Sequence, residues 1–283
     1  MNSSTPDTTS TREVLDVPTP SLVHVDSLVV VLGHVRSART VLDHVDLAVA
    51  RGGAHGLVGE SGSGKSTLAK TLVGVHRPAS GQIRLGGTPL PRRGLRGRRP
   101  AGLPRVQLVP QDPWSSLDPR RTVAETIAEA VDPVRARVAP ARARISTLLE
   151  QVRLDADAAD RYPHQFSGGQ RQRIAIARAL AADPDLLIAD EITSALDLTT
   201  QAEILDLLAD LRTRLGLTML FISHDLAVVR EVSDEVTVLL HGRVVDQGRT
   251  EDVFARPSAE YTRRLLAADP GAPGFSLDEH GDI

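Results

Sequence analysis

The residues with the most specific chemistry lie at 59–66, where Gly-Glu-Ser-Gly-Ser-Gly-Lys-Ser has the spacing G-x-x-x-x-G-K-S. Glycines at 59, 62 and 64 permit backbone angles that turn successive N–H groups toward one anion. A helix opening at the same point adds unpaired amides and the positive end of its dipole. Both lysines of the chain, Lys65 and Lys70, fall within 59–70, and every other basic residue is arginine. A compact ammonium fits among phosphate oxygens where a planar guanidinium does not. Lys65 is therefore expected at the β- and γ-phosphates of a nucleotide, with the Ser66 hydroxyl on Mg2+. Gly59, Ser61, Gly62, Ser63, Gly64 and Thr67 complete the expected cradle. Lys70 reads as an ordinary helix-face residue.

A nucleotide loop needs a carboxylate to hold the metal. The stretch "PDLLIADE", 184–191, is an apolar strand ending in two acids. Asp190 is the expected Mg2+ partner, and Glu191 the general base for an attacking water. "FISHD", 221–225, ends another strand in a polar pair, which would let His224 face the γ-phosphate. In "FSGGQRQRIAIARAL", 166–180, Ser167, Gly168, Gly169 and Gln170 precede an amphipathic, arginine-bearing helix. A serine hydroxyl and backbone amides at a helix start make a second anion site. Two phosphate-binding surfaces about a hundred residues apart suggest a head-to-tail pair of chains. Such a pair would sandwich two ATPs, each held by one chain's loop and the other's Ser-Gly-Gly-Gln.

The elements that must carry these groups follow from the apolar pattern. Valine- and leucine-rich runs at "SLVHVDSLVVVL", "TVLDHVDLAVA", "AHGLV", "SGQIRL", "LPRVQLVPQ", "DLLIADE", "LTMLFISHD" and "DEVTVLLHG" read as strands. Helices are expected from Lys65 to near Pro78 and at 121–131, 141–153, 169–182 and 199–215. Their alternation argues for an α/β sheet with helices packed on it. The segment from about 113 to 168 breaks that rhythm and reads as an inserted helical subdomain. Residues 1–20 and 271–283 read as polar, mobile tails, and the arginine run 91–105 as a solvated loop.

Composition narrows the classes further. The 283 residues are 41% hydrophobic and 24% charged, with a net charge of −3, so the chain as a whole is no nucleic-acid-binding polycation. It has no cysteine, which excludes disulfides, thiolate zinc sites and thiol catalysis. No uncharged apolar run approaches the roughly 18 residues of a membrane span. Any link to a membrane is thus expected to run through a partner.

From about 21 to 270 the sequence resembles an ABC-transporter nucleotide-binding domain. The motifs stand in family order: Walker A at 59–66, Q-loop Gln111, signature Ser-Gly-Gly-Gln at 167–170, Walker B ending at Asp190, catalytic Glu191, D-loop "SALD" at 194–197 and switch His224. "VPQDPWSSLDPR" at 109–120 and "VFARPSAEYTRRLLAADP" at 253–270 are similar to ATPase subunits of dipeptide, oligopeptide and nickel importers. The resemblance implies a P-loop NTPase core with a mainly parallel sheet, an N-terminal antiparallel β-subdomain and an inserted α-helical subdomain. It also implies Gln111 and Asp197 at the nucleotide, Gln111 at the metal, and ATP with Mg2+ as ligands. The implied partners are a second ABC ATPase subunit, identical or not, two transmembrane permease subunits and, indirectly, an extracytoplasmic solute-binding protein, with no nucleic acid. The implied location is the cytoplasmic face of the membrane.

Three positions depart from the family pattern. Leu32 stands where an adenine-stacking aromatic is usual, leaving apolar contact or His34 for the base. Ile192 replaces a common proline, and a C-terminal cysteine cluster found in some peptide-importer ATPases is absent. Two rival readings remain: a non-transport ABC ATPase of DNA repair or translation, and a regulatory, weakly hydrolysing subunit. Only about 100 residues separate Lys65 from Ser167, too few for the long coiled coil of repair-type members.

Overall fold

The computed structural model describes residues 21–33, 37–91 and 102–268. Along the chain, β1 (Ser21–Leu32), β2 (Arg39–Ala50) and β3 (Ala54–Val58) lead into α1 (Lys65–Leu72). Then come β4 (Ser80–Leu85), β5 (Thr88–Pro89) and β6 (Val106–Val109). The helices α2 (Val123–Val131), α3 (Val138–Gln151) and α4 (Gly168–Leu180) precede β7 (Leu186–Asp190). After α5 (Leu198–Leu215) come β8 (Thr218–Ile222), α6 (Leu226–Val232), β9 (Glu235–Leu240) and β10 (Arg243–Arg249). Two short helices, α7 (Thr250–Ala255) and α8 (Glu260–Ala267), close the described chain.

These strands form two sheets. The first is antiparallel in the order β2-β1-β4-β5, and the second runs β10-β9-β3-β8-β7-β6. Within the second, β9, β3, β8, β7 and β6 are parallel and β10 is antiparallel at the edge. Because side chains alternate across a strand, the parallel strands serve two cores. Leu186, Ile188, Leu220 and Ile222 face α1 and the antiparallel sheet, joining Val23, Val25, Leu28, Leu47 and Leu68. Leu187, Ala189, Met219 and Phe221 face the other way, onto Ile127, Leu148, Ile176 and Leu207 of the helices α2 to α5. A third cluster joins Val58 and Val238 to Val229 and Val253, with Tyr261 and Leu265 of α8 against it. Sheets buried on both faces explain the nearly continuous apolar runs of β7 and β8.

Some elements differ from the sequence expectation. Helix α1 ends at Leu72, not near Pro78, because Gly74 takes φ 83 and the amides of Val75 and His76 fold back on the Lys70 carbonyl. Helix α3 begins three residues earlier than expected and holds Pro140 in its first turn, where a missing N–H costs nothing. Strand β10 and helices α6 to α8 carried too little apolar periodicity to be anticipated. Between β6 and β7 the described chain holds α2, α3, α4 and short 3-10 turns at 114–116, 156–160 and 163–165. The expected tails, His34 and positions 92–101 of the arginine run lie outside the described residues.

Candidate functional site

The loop at 59–64 connects β3, buried at all five positions, to the start of α1. Two of its glycines are dictated by neighbours. At Gly59, φ is 148 and a Cβ would lie 2.1 Å from the Leu239 carbonyl oxygen of β9. At Gly64, φ is 110 and a Cβ would lie 2.7 Å from Leu42 Cδ2 of β2. Gly64 is the N-cap of α1 and offers no side-chain acceptor, so the first-turn amides of Lys65, Ser66 and Thr67 face outward uncapped. Ser61 and Gly62 form the exposed tip, and Ser63 is buried with its Oγ unpartnered.

Lys65 is 5% exposed, and its Nζ donates to the carbonyl oxygens of Gly59 (2.6 Å) and Glu60 (2.9 Å). Burial pulls its ammonium below the usual lysine range, opposed by the carboxylates of Glu191, Asp190 and Glu60. Ser66 Oγ donates to Asp190 Oδ1 at 3.3 Å, which joins the start of α1 to the end of β7. Asp190 is pushed above the ordinary carboxylate value by burial, opposed first by the Ser66 hydrogen bond.

Around this pair the sheet brings in the remaining groups. The loop, Gln111, Asp190–Glu191 and His224 all leave the carboxyl ends of parallel strands β3, β6, β7 and β8, the edge where open parallel sheets bind ligands. Glu191 adopts φ 49, donates its N–H to the Ile222 carbonyl (2.8 Å), and lies with Oε2 3.5 Å from His224 Nδ1. Gln111 Nε2 donates to Ser194 Oγ at 3.2 Å, and that hydroxyl donates to the Glu191 carbonyl at 2.9 Å. Gln111 is thereby linked to the segment after β7 rather than to Ser66. Ser194 was not singled out from the sequence, although it opens the "SALD" stretch, since a lone serine there carries no distinctive signal.

The helix start at 167–170 has a different anatomy. Ser167 caps α4 in a capping box: Gln170 N–H donates to Ser167 Oγ (3.3 Å), and Ser167 N–H to Gln170 Oε1 (3.0 Å). Ser167 and Gly168 are exposed, while Gly169 is buried against Thr200 of α5, where a Cβ would lie 2.3 Å from Thr200 Cγ2. Asp197 caps α5, accepting from Thr200 N–H (2.9 Å) and Thr200 Oγ1 (2.8 Å), bonds that hold its carboxyl below the usual range. The structure gives Asp197 this capping work and no contact with the loop at 59–64. Leu32 ends β1 partly buried against the core, and Ile192 is buried among the helices.

The residues present fit a nucleotide with Mg2+. An uncapped helix start, the orphaned buried Ser63 Oγ and glycines that any Cβ would foul make a phosphate cradle. Ser66 and Asp190 supply hard oxygen donors side by side. Among the described residues no three His, Asp or Glu side chains gather into a metal cage. That suits a magnesium shared between one or two protein oxygens and substrate phosphates.

Comparison with known proteins agrees. Residues 42–194 match the family model described as ABC transporter. The oligopeptide transport ATP-binding protein OppF of Lactococcus lactis is 45% identical over 232 residues, 81% of this chain and 72% of that protein. Among solved structures, cbiO1 from Clostridium perfringens, part of the ABC transporter complex cbiONQ, superposes with a TM-score of 0.72 at 28% identity. It covers 84% of this chain and 92% of its own. A dimeric ATP-binding cassette in a post-hydrolysis state, bound to ADP and Pi, gives a TM-score of 0.68 at 27% identity over 81% of this chain and 98% of its own.

Proposed function

Because this chain belongs to the ABC transporter family, we propose that it binds and hydrolyses ATP to power a peptide importer. The observation that carries the reading is the Ser66–Asp190 contact beside the buried Lys65, at the strand edge that also holds Glu191 and His224. Peptide as the cargo class is supported by the named transport role of the 45% identical relative.

Lys65 neutralises β- and γ-phosphate charge, and the open amides of Lys65, Ser66 and Thr67 donate hydrogen bonds to the phosphate oxygens. Ser66 and Asp190 would hold Mg2+, a role the family resemblance also gives Gln111, which here bonds Ser194; the ion would supply charge neutralisation on the transferring phosphoryl group. Glu191 takes the proton of the attacking water, and His224 orients that carboxylate from Nδ1. The exposed Ser167–Gly168 helix start, remote in role from the first loop, receives the nucleotide of a second subunit in a head-to-tail dimer. A solved relative that is dimeric supports a pairing of two chains.

No described helix is long and apolar enough to cross a membrane. The reading therefore assigns membrane passage to two permease subunits, with this chain at their cytoplasmic face and a solute-binding protein on the other side. Against the repair-type alternative, the longest described helix between Lys65 and Ser167 is α3, of 14 residues. Against a non-hydrolysing subunit, Glu191 and His224 are both in place. The test is Glu191→Gln: turnover should fall at least ~100-fold, the lower range for losing a general base, with ATP binding retained. Near-parental hydrolysis by that variant removes Glu191 from its role.

A further inference from the structure

Helix α8 lies far along the chain from the loop at 59–64, yet it touches it. The Glu60 N–H donates to the Tyr261 hydroxyl oxygen at 3.1 Å. The Glu60 carbonyl, on the other side of the same residue, accepts from Lys65 Nζ at 2.9 Å and from the Ser63 N–H at 3.1 Å. One residue of the loop is thus gripped from both ends, and one grip belongs to the lysine expected at the phosphates.

Tyr261 is itself anchored rather than dangling. Its ring packs on the cluster of Val58, Val229, Val236 and Val238, directly beneath the loop's point of departure from β3. The start of α8 is fixed by Asp246 of β10, a buried carboxylate whose Oδ2 accepts the N–H groups of Ser258 (2.9 Å) and Ala259 (3.2 Å). Asp246, α8 and Tyr261 therefore connect the antiparallel edge strand to the loop at 59–64. Burial raises the phenol above its ordinary value, so it stays protonated at neutral pH and keeps its hydroxyl hydrogen.

We propose that Tyr261 is a positioning residue for the nucleotide, holding Glu60 so that the loop and Lys65 present the geometry that binds phosphate. The proposal rests on the ATP-binding reading above. The Glu60 N–H belongs to the Gly59–Glu60 peptide, whose carbonyl oxygen accepts from Lys65 Nζ at 2.6 Å; without the Tyr261 oxygen that exposed peptide would be free to rotate and carry this Lys65 acceptor with it. A loop held in advance binds more tightly, because ordering it is no longer part of the cost of binding.

Tyr261→Phe tests this, since it keeps the ring in its cluster and removes only the oxygen. Losing one neutral hydrogen bond of this kind corresponds to ~2- to ~10-fold. The Kd for a fluorescent ATP analogue and the KM for ATP should both rise by that factor. kcat should change less than about twofold, and the nucleotide-free Tm should stay within ~2 °C of the parent. A parental Kd and KM overturn the proposal; so does a drop in Tm with affinity unchanged, which would make the contact structural only. In the unmodified protein, hydrogen exchange must show the Glu60 amide protected although its side chain is exposed, and free exchange there refutes the tie independently. Failure of the parent protein to bind ATP at all would instead refute the ATP-binding reading, so the two failures are distinguishable.

Discussion

Replacing Lys65 by arginine conserves charge, and the structure says it should still fail. Lys65 is 5% exposed, and its ammonium is closely seated between the Gly59 and Glu60 carbonyls at 2.6 and 2.9 Å. A longer, forked guanidinium has to displace those carbonyls or leave the seat. Overpacking of this kind costs ~1–3 kcal/mol, and losing a charge-assisted bond to phosphate removes ~1.5–3 kcal/mol of binding. The second figure alone is ~10- to ~150-fold in Kd. The expected result is ATP binding weakened at least ~10-fold, hydrolysis lost with it, and a Tm lowered without nucleotide by ~2–4 °C per kcal/mol of strain. Lys65→Met, which removes the charge without the added bulk, should lose binding but keep the Tm. The assay is nucleotide titration by fluorescence with thermal melting on the same samples. If Lys65→Arg bound and hydrolysed ATP within twofold of the parent, the argument from ammonium shape would be wrong.

Other substitutions probe separate contacts. Gly169→Ala should destabilise by ~1–3 kcal/mol through the 2.3 Å approach to Thr200 Cγ2. Adding Thr200→Ser, which deletes that methyl and keeps the hydroxyl on Asp197, should restore much of the Tm; no rescue would refute the clash. Asp190 has a folded pKa raised by burial, so its contribution favours the fold below the ordinary carboxylate value of 3.8 and is lost as pH rises through the raised value. Asp190→Asn should consequently melt higher than the parent at pH 7 without nucleotide, and the gap should close toward pH 3, while Mg2+-dependent ATP binding is lost. A lower Tm at pH 7 would contradict the desolvation argument. Asp197→Ala should cost ~1 kcal/mol, as for other N-caps, read as a fall in Tm.

Much of the site was legible because its chemistry is written in short, contiguous strings. The loop 59–66, the acid pair 190–191 and the capped start at 167–170 each need neighbouring residues in fixed spacing, and the structure places them on the elements their patterns required. Alternating burial along the later part of β2 and the continuous apolar runs of β7 and β8 likewise declare their surroundings locally. The elements missed were β5, β10 and α6 to α8, each too short for a periodic apolar pattern to stand out.

Residue type and spacing alone thus pointed to the proposed phosphate loop, its proposed metal carboxylate and the proposed second anion surface, and gave the alternation of strand and helix. Tertiary structure alone determined which groups meet across the sheet edge: Ser66 with Asp190, Glu191 with His224, Gln111 with Ser194, and Glu60 with Tyr261. The physical reason is that parallel strands distant in sequence end side by side, so the loops leaving them become neighbours only once the register is set. The type of Lys65 was readable from its motif, but its burial, its two carbonyl partners and the Tyr261 contact behind them come from the packing of β9 and α8 against a loop 201 residues away from that tyrosine.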